Sequence, residues 1–148
     1  NNLVIPIRWA DHHSRPLPSQ GELEDLFNSP GGPAAWAEYA NMSVRDYLRS
    51  NSFGRFELDS TVVPWFNSSY SEADVTLGST SGLSGAGYDN FQAALLEALA
   101  HVDQALNFSL FDGDNDGYMD GVGFLHSGYA AEWGDADASG TDYTRRLW

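Results

Sequence analysis

The chain has 148 residues, of which 42% are hydrophobic and 14% aromatic, and this favours one packed domain over residues 1–148. Its net charge of -14, with seven arginines and no lysine, excludes nucleic acid as a partner, because nucleic-acid binding requires clustered cations. No run approaches the roughly 20 apolar residues that a membrane span requires, so no membrane span is expected.

The first predicted element is a strand over Leu3 to Trp9, a short apolar run rich in β-branched residues. Pro6 inside this run favours an edge position in the sheet or a bulge, because proline has no N–H to donate. Prolines and glycines recur in residues 10–33, which predicts mostly loop with a short helix at Glu22 to Phe27.

A helical pattern follows Pro33, where apolar residues recur at spacings of three and four. Ser43 with Asp46 is typical of a helix start. Asn51 and Gly54 are expected to end this helix.

A second strand is predicted over residues 56–63, and the chain is expected to leave the sheet at Pro64 and Trp65. Ser, Gly and Thr recur in residues 67–87, which predicts a long loop of a kind that is typically functional or partly ordered. The next helix is the clearest element, because one apolar stripe runs along it. The stripe consists of Tyr88, Phe91, Leu95, Ala98, Leu99, Val102 and Leu106. A buried strand is then expected over residues 121–126.

The most informative motif is the run of nine residues between the long helix and the last strand, which places four carboxylates on alternating positions of a glycine turn. The predicted metal ligands are Asp112, Asp114 and Asp116 at loop positions 1, 3 and 5, the backbone carbonyl of Tyr118 at position 7, and Asp120 at position 9. Gly117 at position 6 permits the sharp turn. Because a hard divalent cation prefers six to eight oxygens at roughly 2.3 to 2.6 Å, this spacing predicts a calcium site.

Two alternatives compete with a structural calcium ion. An acidic surface turn would have the same composition, since Asp, Asn and Gly all favour turns. The ligand spacing favours an ion instead, and an ion also relieves the repulsion among four close carboxylates. A calcium sensor is disfavoured, because position 12 is Gly123 and not the bidentate Glu of an EF-hand.

Three asparagines, Asn41, Asn67 and Asn107, stand in the Asn-x-Ser pattern of N-glycosylation sites and are expected on the surface of a secreted protein. A millimolar-calcium exterior would also fill a loop that lacks one ligand. Both signals predict an extracellular location. The chain has no cysteine, so disulfide bonds give no information about its compartment. The chain opens directly into an apolar strand, so a mature product or an excised fragment is expected.

None of the four histidines pairs with another at the i and i+4 spacing of a His-Glu-x-x-His zinc helix. His12 and His13 are adjacent in a predicted polar loop, and adjacent side chains diverge, so a shared metal is not expected. His101 is predicted on the exposed side of the long helix. His126 ends a predicted strand, where α/β folds gather their clefts, although a histidine hydrogen-bonded inside the sheet is the simpler interpretation.

Several segments, taken in order, resemble one family of enzymes. They are residues 3–11 (LVIPIRWAD), Asp46-Tyr47-Leu48, residues 51–56 (NSFGRF), the pair Val63 and Trp65, the long helix, the aspartate loop and residues 122–128 (VGFLHSG). This order resembles the front half of the catalytic domain of the immune inhibitor A family of secreted zinc metallopeptidases, over most of the chain. Its most specific parts are residues 51–56, similar to the family's Ser-Tyr-Gly pattern, and the aspartate loop that leads into a strand ending in His-x-Gly.

The resemblance implies an α/β fold of the α+β zincin type, with a mixed, twisted sheet of about four or five strands and two main helices, as in an incomplete upper lobe of a metallopeptidase domain. In that family a Trp-Ser-His segment and the His-Glu-x-x-His helix follow, and the chain ends at Trp148, where that segment would begin. No catalytic residue is therefore predicted in this chain, and zinc is expected only with a following C-terminal half.

Two functions from different classes fit these observations. The first is a calcium-stabilised extracellular metallopeptidase-like domain that is inactive by itself. The second is a non-catalytic secreted glycoprotein module for adhesion or extracellular fibre assembly, with which the three glycosylation patterns and the Ser/Gly-rich loop are compatible. A domain cut before its active-site helix exposes apolar surface, so self-association or binding of a C-terminal partner segment is expected.

Overall fold

The computed structural model describes residues 1–37, 41–77 and 85–128. The chain divides into two compact units, the first formed by residues 1–5, 16–64 and 106–123, and the second by residues 6–15, 65–105 and 124 onward. Strands β1 (Asn2–Arg8) and β4 (Val122–His126) contribute residues to both units. Helices are interspersed with the strands of a four-stranded sheet joined through β1, which confirms the α/β class. The single domain over residues 1–148 stays a prediction.

In the first unit, β1 pairs in parallel with β2 (Ser60–Val62), with Asn2 opposite Ser60. On the other side of β1, the N–H of Leu3 donates to the carbonyl of Gly121 at 3.1 Å. The residues of β1 that follow Asn2 in this unit are fully buried. A continuous apolar run is typical of a parallel strand that is covered on both of its faces, and the burial of these residues agrees with this.

Helix α1 (Gln20–Asn28) packs beside β2 in the same unit. It begins with a capping box formed by Ser19 and Glu22, and it includes the predicted helix at residues 22–27. At its other end, the side-chain amide of Asn28 donates to the carbonyl of Ser60 at 2.8 Å, while its oxygen accepts the N–H of Ser60 at 2.9 Å. This pair of bonds ties the end of the helix to the first residue of β2.

Helix α2 (Val44–Asn51) begins at Ser43, as predicted, with a capping box that Asp46 completes. The Asp46 carboxylate accepts the N–H of Gly31 at 2.7 Å and the N–H of Ser43 at 3.3 Å. These backbone donors, that of Gly31 first, hold the pKa of Asp46 below its usual value. The loop before α2 is thereby attached to its first turn.

The end of α2 forms a Schellman motif, in which the N–H of Gly54 donates to the carbonyl of Arg49 at 2.8 Å and that of Phe53 to the carbonyl of Ser50 at 3.1 Å. Phe53 has a φ of 55° in the left-handed position that glycine usually takes, and its side chain is 91% exposed. A left-handed residue with a side chain costs about 1 kcal/mol or more relative to glycine. The left-handed conformation of Phe53 therefore costs local free energy, and its exposed ring gains no burial in return.

In the second unit, β1 pairs in parallel with β3 (Phe66–Asn67), with Ile7 opposite Phe66. On the other side of β1, the N–H of Ser127, the residue after β4, donates to the carbonyl of Ile7 at 2.9 Å. Trp9 follows β1 and is fully buried, with its ring 6.5 Å from that of Phe91. The carboxyl ends of β1, β3 and β4 thus lie at one edge of the sheet in this unit.

Helices α3 (Glu72–Thr76) and α4 (Gly85–Val102) pack against each other in the second unit. The side-chain amide of Asn90 donates to the carbonyl of Asp74 at 2.8 Å and joins the two helices. Within residues 87–102 of α4, the buried residues are Gly87, Ala94, Ala98 and Val102. The predicted apolar stripe is therefore correct at Ala98 and Val102, but Tyr88 is 41% exposed, because small residues occupy the buried face of the helix.

Four details of the predicted elements are wrong. β1 is not an edge strand despite Pro6, because the bonds on its two sides in the second unit use the carbonyls of Ile7 and Arg8 as acceptors and need no N–H from residue 6. Of the strand predicted over residues 56–63, only β2 forms. Residues 56–59 are mostly exposed and are not part of a strand. The chain, expected to leave the sheet at Pro64 and Trp65, returns to it as β3. The long loop predicted over residues 67–87 is partly ordered, as expected, because it contains α3, and its residues 78–84 lie outside the described ones. β4 is half-buried and not buried, with Val122 39% exposed.

Candidate metal centre and a buried polar cluster

The aspartate loop begins where the 3-10 helix Phe108–Phe111 ends. Phe111 is buried and anchors the start of the loop. The N–H of Asp120 donates to the carbonyl of Phe111 at 2.7 Å, so the two ends of the loop meet at its base. The residues between them are mostly exposed.

Three of the predicted ligands converge within this loop. Carboxylate oxygens of Asp112, Asp114 and Asp116 all lie within 4.8 Å of one another. The main chain turns through left-handed conformations at Asn115, with a φ of 61°, and at Gly117, with a φ of 91°. The predicted turn at Gly117 is thereby confirmed, and these turns aim alternate side chains at one point.

Backbone N–H groups of the loop hold the carboxylates in place. The two oxygens of Asp112 accept the N–H groups of Asp116 at 3.0 Å and Gly117 at 2.9 Å. Asp114 accepts the N–H of Asp116 at 3.2 Å, and Asp116 accepts that of Tyr118 at 2.9 Å. A carboxylate oxygen has two lone pairs, so each of these oxygens retains acceptor capacity for a cation.

The other two predicted ligands lie outside this cluster of side chains. Asp120 accepts the N–H of Gly113 through Oδ2 at 3.0 Å, so its carboxylate lies across the start of the loop. The ligand predicted at Tyr118 is a backbone carbonyl, and its part in the site stays a prediction. The structure thus brings together the first three ligands of the predicted five.

The donor set of the loop fits a hard cation. It consists of oxygens, without an imidazole or a thiolate, and such ligands suit magnesium, calcium or manganese. The cluster of Asp112, Asp114 and Asp116 can hold a metal ion.

The predicted glycosylation asparagines share one property in the structure. Asn41, Asn67 and Asn107 are all exposed. Asn107 accepts the N–H of Ser109 through Oδ1 at 3.1 Å, which leaves its side-chain nitrogen free of that bond. Exposure makes these side chains accessible, and glycosylation of them stays a prediction.

A second group of polar side chains lies in the second unit, where β1, β3 and β4 end. It comprises His12 in the 3-10 helix Ala10–His12, Glu72 at the start of α3, and His126 with Ser127 at the end of β4. His12, Glu72 and Ser127 are each at most 6% exposed. We call these four residues the carboxyl-edge cluster. The carboxyl ends of parallel strands are where α/β folds place their ligand sites.

Hydrogen bonds join three members of the carboxyl-edge cluster in a line. Oγ of Ser127 lies 2.8 Å from Nδ1 of His12, and Nε2 of His12 lies 3.1 Å from Oε2 of Glu72. Asp11 lies beside them, since its Oδ1 accepts the N–H of Glu72 at 2.9 Å and is 3.7 Å from Nε2 of His12. Oε1 of Glu72 is buried and accepts no hydrogen bond from the described residues.

His126 packs beside this line, with its ring 6.1 Å from that of Trp9. Burial lowers the pKa of His126 below its usual value, and the charge of Glu72 partly opposes this while that of His12 adds to it. Nδ1 of His126 accepts the N–H of Gly128 at 3.1 Å, so the neutral ring carries its proton on Nε2. A side chain at Gly128 has no room, because its Cβ would collide with Oε1 of Glu72 and lie 3.0 Å from Nδ1 of His126.

The sequence patterns do not predict most of this cluster. His12 falls in a predicted polar loop, and Glu72 falls inside the predicted long loop. One available signal is the Ser71-x-x-Asp74 pattern, a capping box that the structure shows at the start of α3. The prediction for His101 is confirmed, since it is exposed, with its ring 5.0 Å from that of Phe66.

Comparison of the chain with protein-family models, with curated proteins and with solved structures finds no match. The family resemblance therefore stays a prediction. Among the helices of the described residues, none combines the length and the apolar character that crossing a membrane requires.

Proposed function

We propose that the chain is a calcium-stabilised extracellular metallopeptidase-like domain. The observation that carries this proposal is the convergence of the Asp112, Asp114 and Asp116 carboxylates within 4.8 Å at loop positions 1, 3 and 5. Calcium is favoured over magnesium because the loop also offers Asp120 and the Tyr118 carbonyl, and calcium accepts more oxygens in less regular geometry.

The ion has a structural role in this proposal. The loop connects the 3-10 helix Phe108–Phe111 to β4, and its ends already meet at the bond between Asp120 and Phe111. A cation would neutralise the three carboxylates and keep the segment before β4 in one conformation. Gly123 at position 12 supplies no side-chain oxygen, which disfavours a sensor that switches conformation.

The zincin-type part of the proposal depends on the order of elements. β1, α2, α4, the aspartate loop and β4 follow one another as in the front half of an immune inhibitor A peptidase domain. Peptide hydrolysis in that family requires a His-Glu-x-x-His helix, and this sequence contains none. The domain by itself is therefore proposed to have no peptidase activity.

The alternative function is a non-catalytic secreted glycoprotein module for adhesion or fibre assembly. It is favoured by the exposure of Asn41, Asn67 and Asn107 and by exposed apolar side chains such as Phe53 and Leu110. The coding sequence that follows residue 148 separates the two functions. A zinc motif within the next few dozen residues favours the peptidase, whereas a stop codon or a repeat without the motif favours the module.

Calcium binding is tested by titration calorimetry and by thermal unfolding with calcium or with EGTA. At a free calcium concentration of a hundred times the Kd, binding is expected to add about 2.7 kcal/mol of stability, so EGTA lowers the Tm. Asp114→Asn is expected to weaken binding and to reduce this shift. Asp89→Asn, an equal charge change at an exposed position of α4, is the matched control and should leave both unchanged.

Two results would contradict the calcium site. One is an unchanged Tm in EGTA together with no calcium in elemental analysis of the purified protein. The other is a preference for magnesium over calcium in the titration, which would assign the loop to a smaller ion.

A further inference from the structure

The carboxyl-edge cluster joins a hydroxyl, an imidazole and a carboxylate in the order that activates a nucleophile. Ser127 is within 2.8 Å of one ring nitrogen of His12, and the other ring nitrogen is within 3.1 Å of Glu72. A nucleophile within hydrogen-bond reach of a base, with the base oriented by a third group, is the arrangement shared by serine hydrolases on unrelated folds. Ser127 also stands directly after a strand at the carboxyl edge of the sheet.

Glu72 fixes the direction of the hydrogen bond between Ser127 and His12. Because a carboxylate only accepts, Nε2 of His12, which lies 3.1 Å from Oε2 of Glu72, carries a proton and donates it. In the tautomer that is protonated at Nε2, Nδ1 is an acceptor for the hydroxyl of Ser127 at 2.8 Å, as a general base must be. The N–H of Trp9 donates to the same Oγ at 3.0 Å.

We propose that Ser127 is the nucleophile of a site that hydrolyses small esters, with His12 as general base and Glu72 as the group that orients its ring. This activity goes beyond the calcium-stabilised domain and does not depend on it. Oγ bonds to the ester carbonyl carbon while its proton passes to Nδ1 of His12, and the alcohol then leaves with that proton. A water molecule gives a proton to His12 and attacks the acyl-serine, and the carboxylic acid leaves as Oγ regains its proton.

The surroundings of Ser127 limit the substrate. Its side chain is 5% exposed, so we expect a small acyl group such as acetyl to reach it and a peptide not to. The N–H of Gly128, which follows the nucleophile and would be the first donor for an oxyanion, already donates to His126 at 3.1 Å. Because this donor is engaged, we expect a slow reaction that requires an activated ester.

The test uses the unmodified full chain, which is treated with diisopropyl fluorophosphate and then digested for mass spectrometry. Modification is expected at Ser127 in the folded protein and is expected to disappear when the protein is unfolded in urea before treatment. Ser68 is an internal control, because it is equally buried at 4% but donates to the Glu97 carboxylate at 2.9 Å and has no imidazole partner among the described residues. Hydrolysis of p-nitrophenyl acetate provides the turnover measurement.

Variants then assign the roles. His12→Gln is expected to slow modification of Ser127 by about 100-fold or more, which is the usual contribution of a general base. Ser127→Ala should abolish ester hydrolysis, while Ser68→Ala should leave it unchanged. EGTA should leave the modification of Ser127 unchanged, so loss of the calcium site and loss of this activity are distinguishable.

A folded wild-type chain that is not modified at Ser127 would overturn the proposal. Equal modification of Ser127 and Ser68 would also overturn it. Either result assigns the hydrogen bonds of Ser127 a purely structural role. Since the wild-type experiment needs no variant, misfolding of a variant does not affect this test.

Discussion

The aspartate loop and the carboxyl-edge cluster both gather ionisable side chains, but they satisfy them in opposite ways. In the loop, exposed carboxylates of one sign accept backbone N–H groups, and their mutual repulsion is left to solvent or to a bound cation. In the cluster, buried groups of different kinds satisfy one another, as His12 does between Ser127 and Glu72. The first arrangement can accept an ion from outside, whereas the second depends on every member being present.

The largest effect is expected from breaking the cluster at its carboxylate. Glu72→Ala leaves the buried Nε2–H of His12 without its 3.1 Å acceptor, and a buried donor that loses its partner typically costs about 1–3 kcal/mol, to which the cavity left by the side chain adds. Glu57→Ala is the matched control, because Glu57 pairs with Arg45 at 3.0 Å on the surface, where such pairs contribute about 0–1 kcal/mol. Urea unfolding measures both. Equal losses would show that burial does not distinguish the two pairs.

Glycine substitutions should sharpen the difference between the two regions. In Gly128→Ala, the new Cβ collides with Oε1 of the buried Glu72 and lies 3.0 Å from Nδ1 of the half-buried His126, and the cost is expected to be about 1–3 kcal/mol. In Gly113→Ala, the new Cβ lies 2.7 Å from Oδ2 of Asp120, a mobile side-chain end at the surface. The expected loss there is smaller, because this carboxylate can rotate away. A larger loss at residue 113 than at residue 128 would contradict this account.

The smallest expected effect is a dependence of the free energy of unfolding on pH. We expect it from the carboxyl-edge cluster and not from the aspartate loop. In the folded state, burial is the main cause that lowers the pKa of His126. Just below the unfolded-state pKa of about 6.5, the unfolded chain therefore binds a proton that the folded chain does not. Stability is therefore expected to be complete above about pH 6.5 and to fall as the pH drops toward the folded pKa, by at most about 1.4 kcal/mol per pH unit.

His126→Gln should remove this part of the pH dependence of the urea midpoint. His101→Gln, which changes an exposed histidine of α4, is the control and should leave the dependence as in the wild type. If both variants retain the slope, the pH dependence belongs to other groups.

The same contrast explains what can be predicted from the sequence. The three-aspartate cluster, the start of α2 and the long helix α4 are local patterns, in which residues a few positions apart determine the structure, and the sequence predicts them. The carboxyl-edge cluster joins residues 12, 72 and 127, whose proximity depends on strand pairing, and no single segment encodes it. The prediction omits α3 because its five residues lie in a polar stretch, although Ser71 marks its start.

The position of Pro6 shows the limit of a residue-level rule. Proline disfavours a central strand because it cannot donate, but the hydrogen bonds beside it in β1 use carbonyl acceptors. The rule describes one missing donor, whereas strand pairing depends on which groups the neighbours require. Zincin-type architecture likewise stays a prediction, since the order of elements is compatible with it and the described strands include only four.

Phe53 at the end of α2 offers a practical route to follow this molecule in solution. The chain contains no cysteine, and the residue projects almost entirely into water from a rigid hydrogen-bonded turn. Phe53→Cys would therefore create a unique thiol for a fluorescent dye at a side chain that is exposed and lies outside the core of the first unit. Anisotropy of that dye would report directly whether copies of the chain assemble as concentration rises.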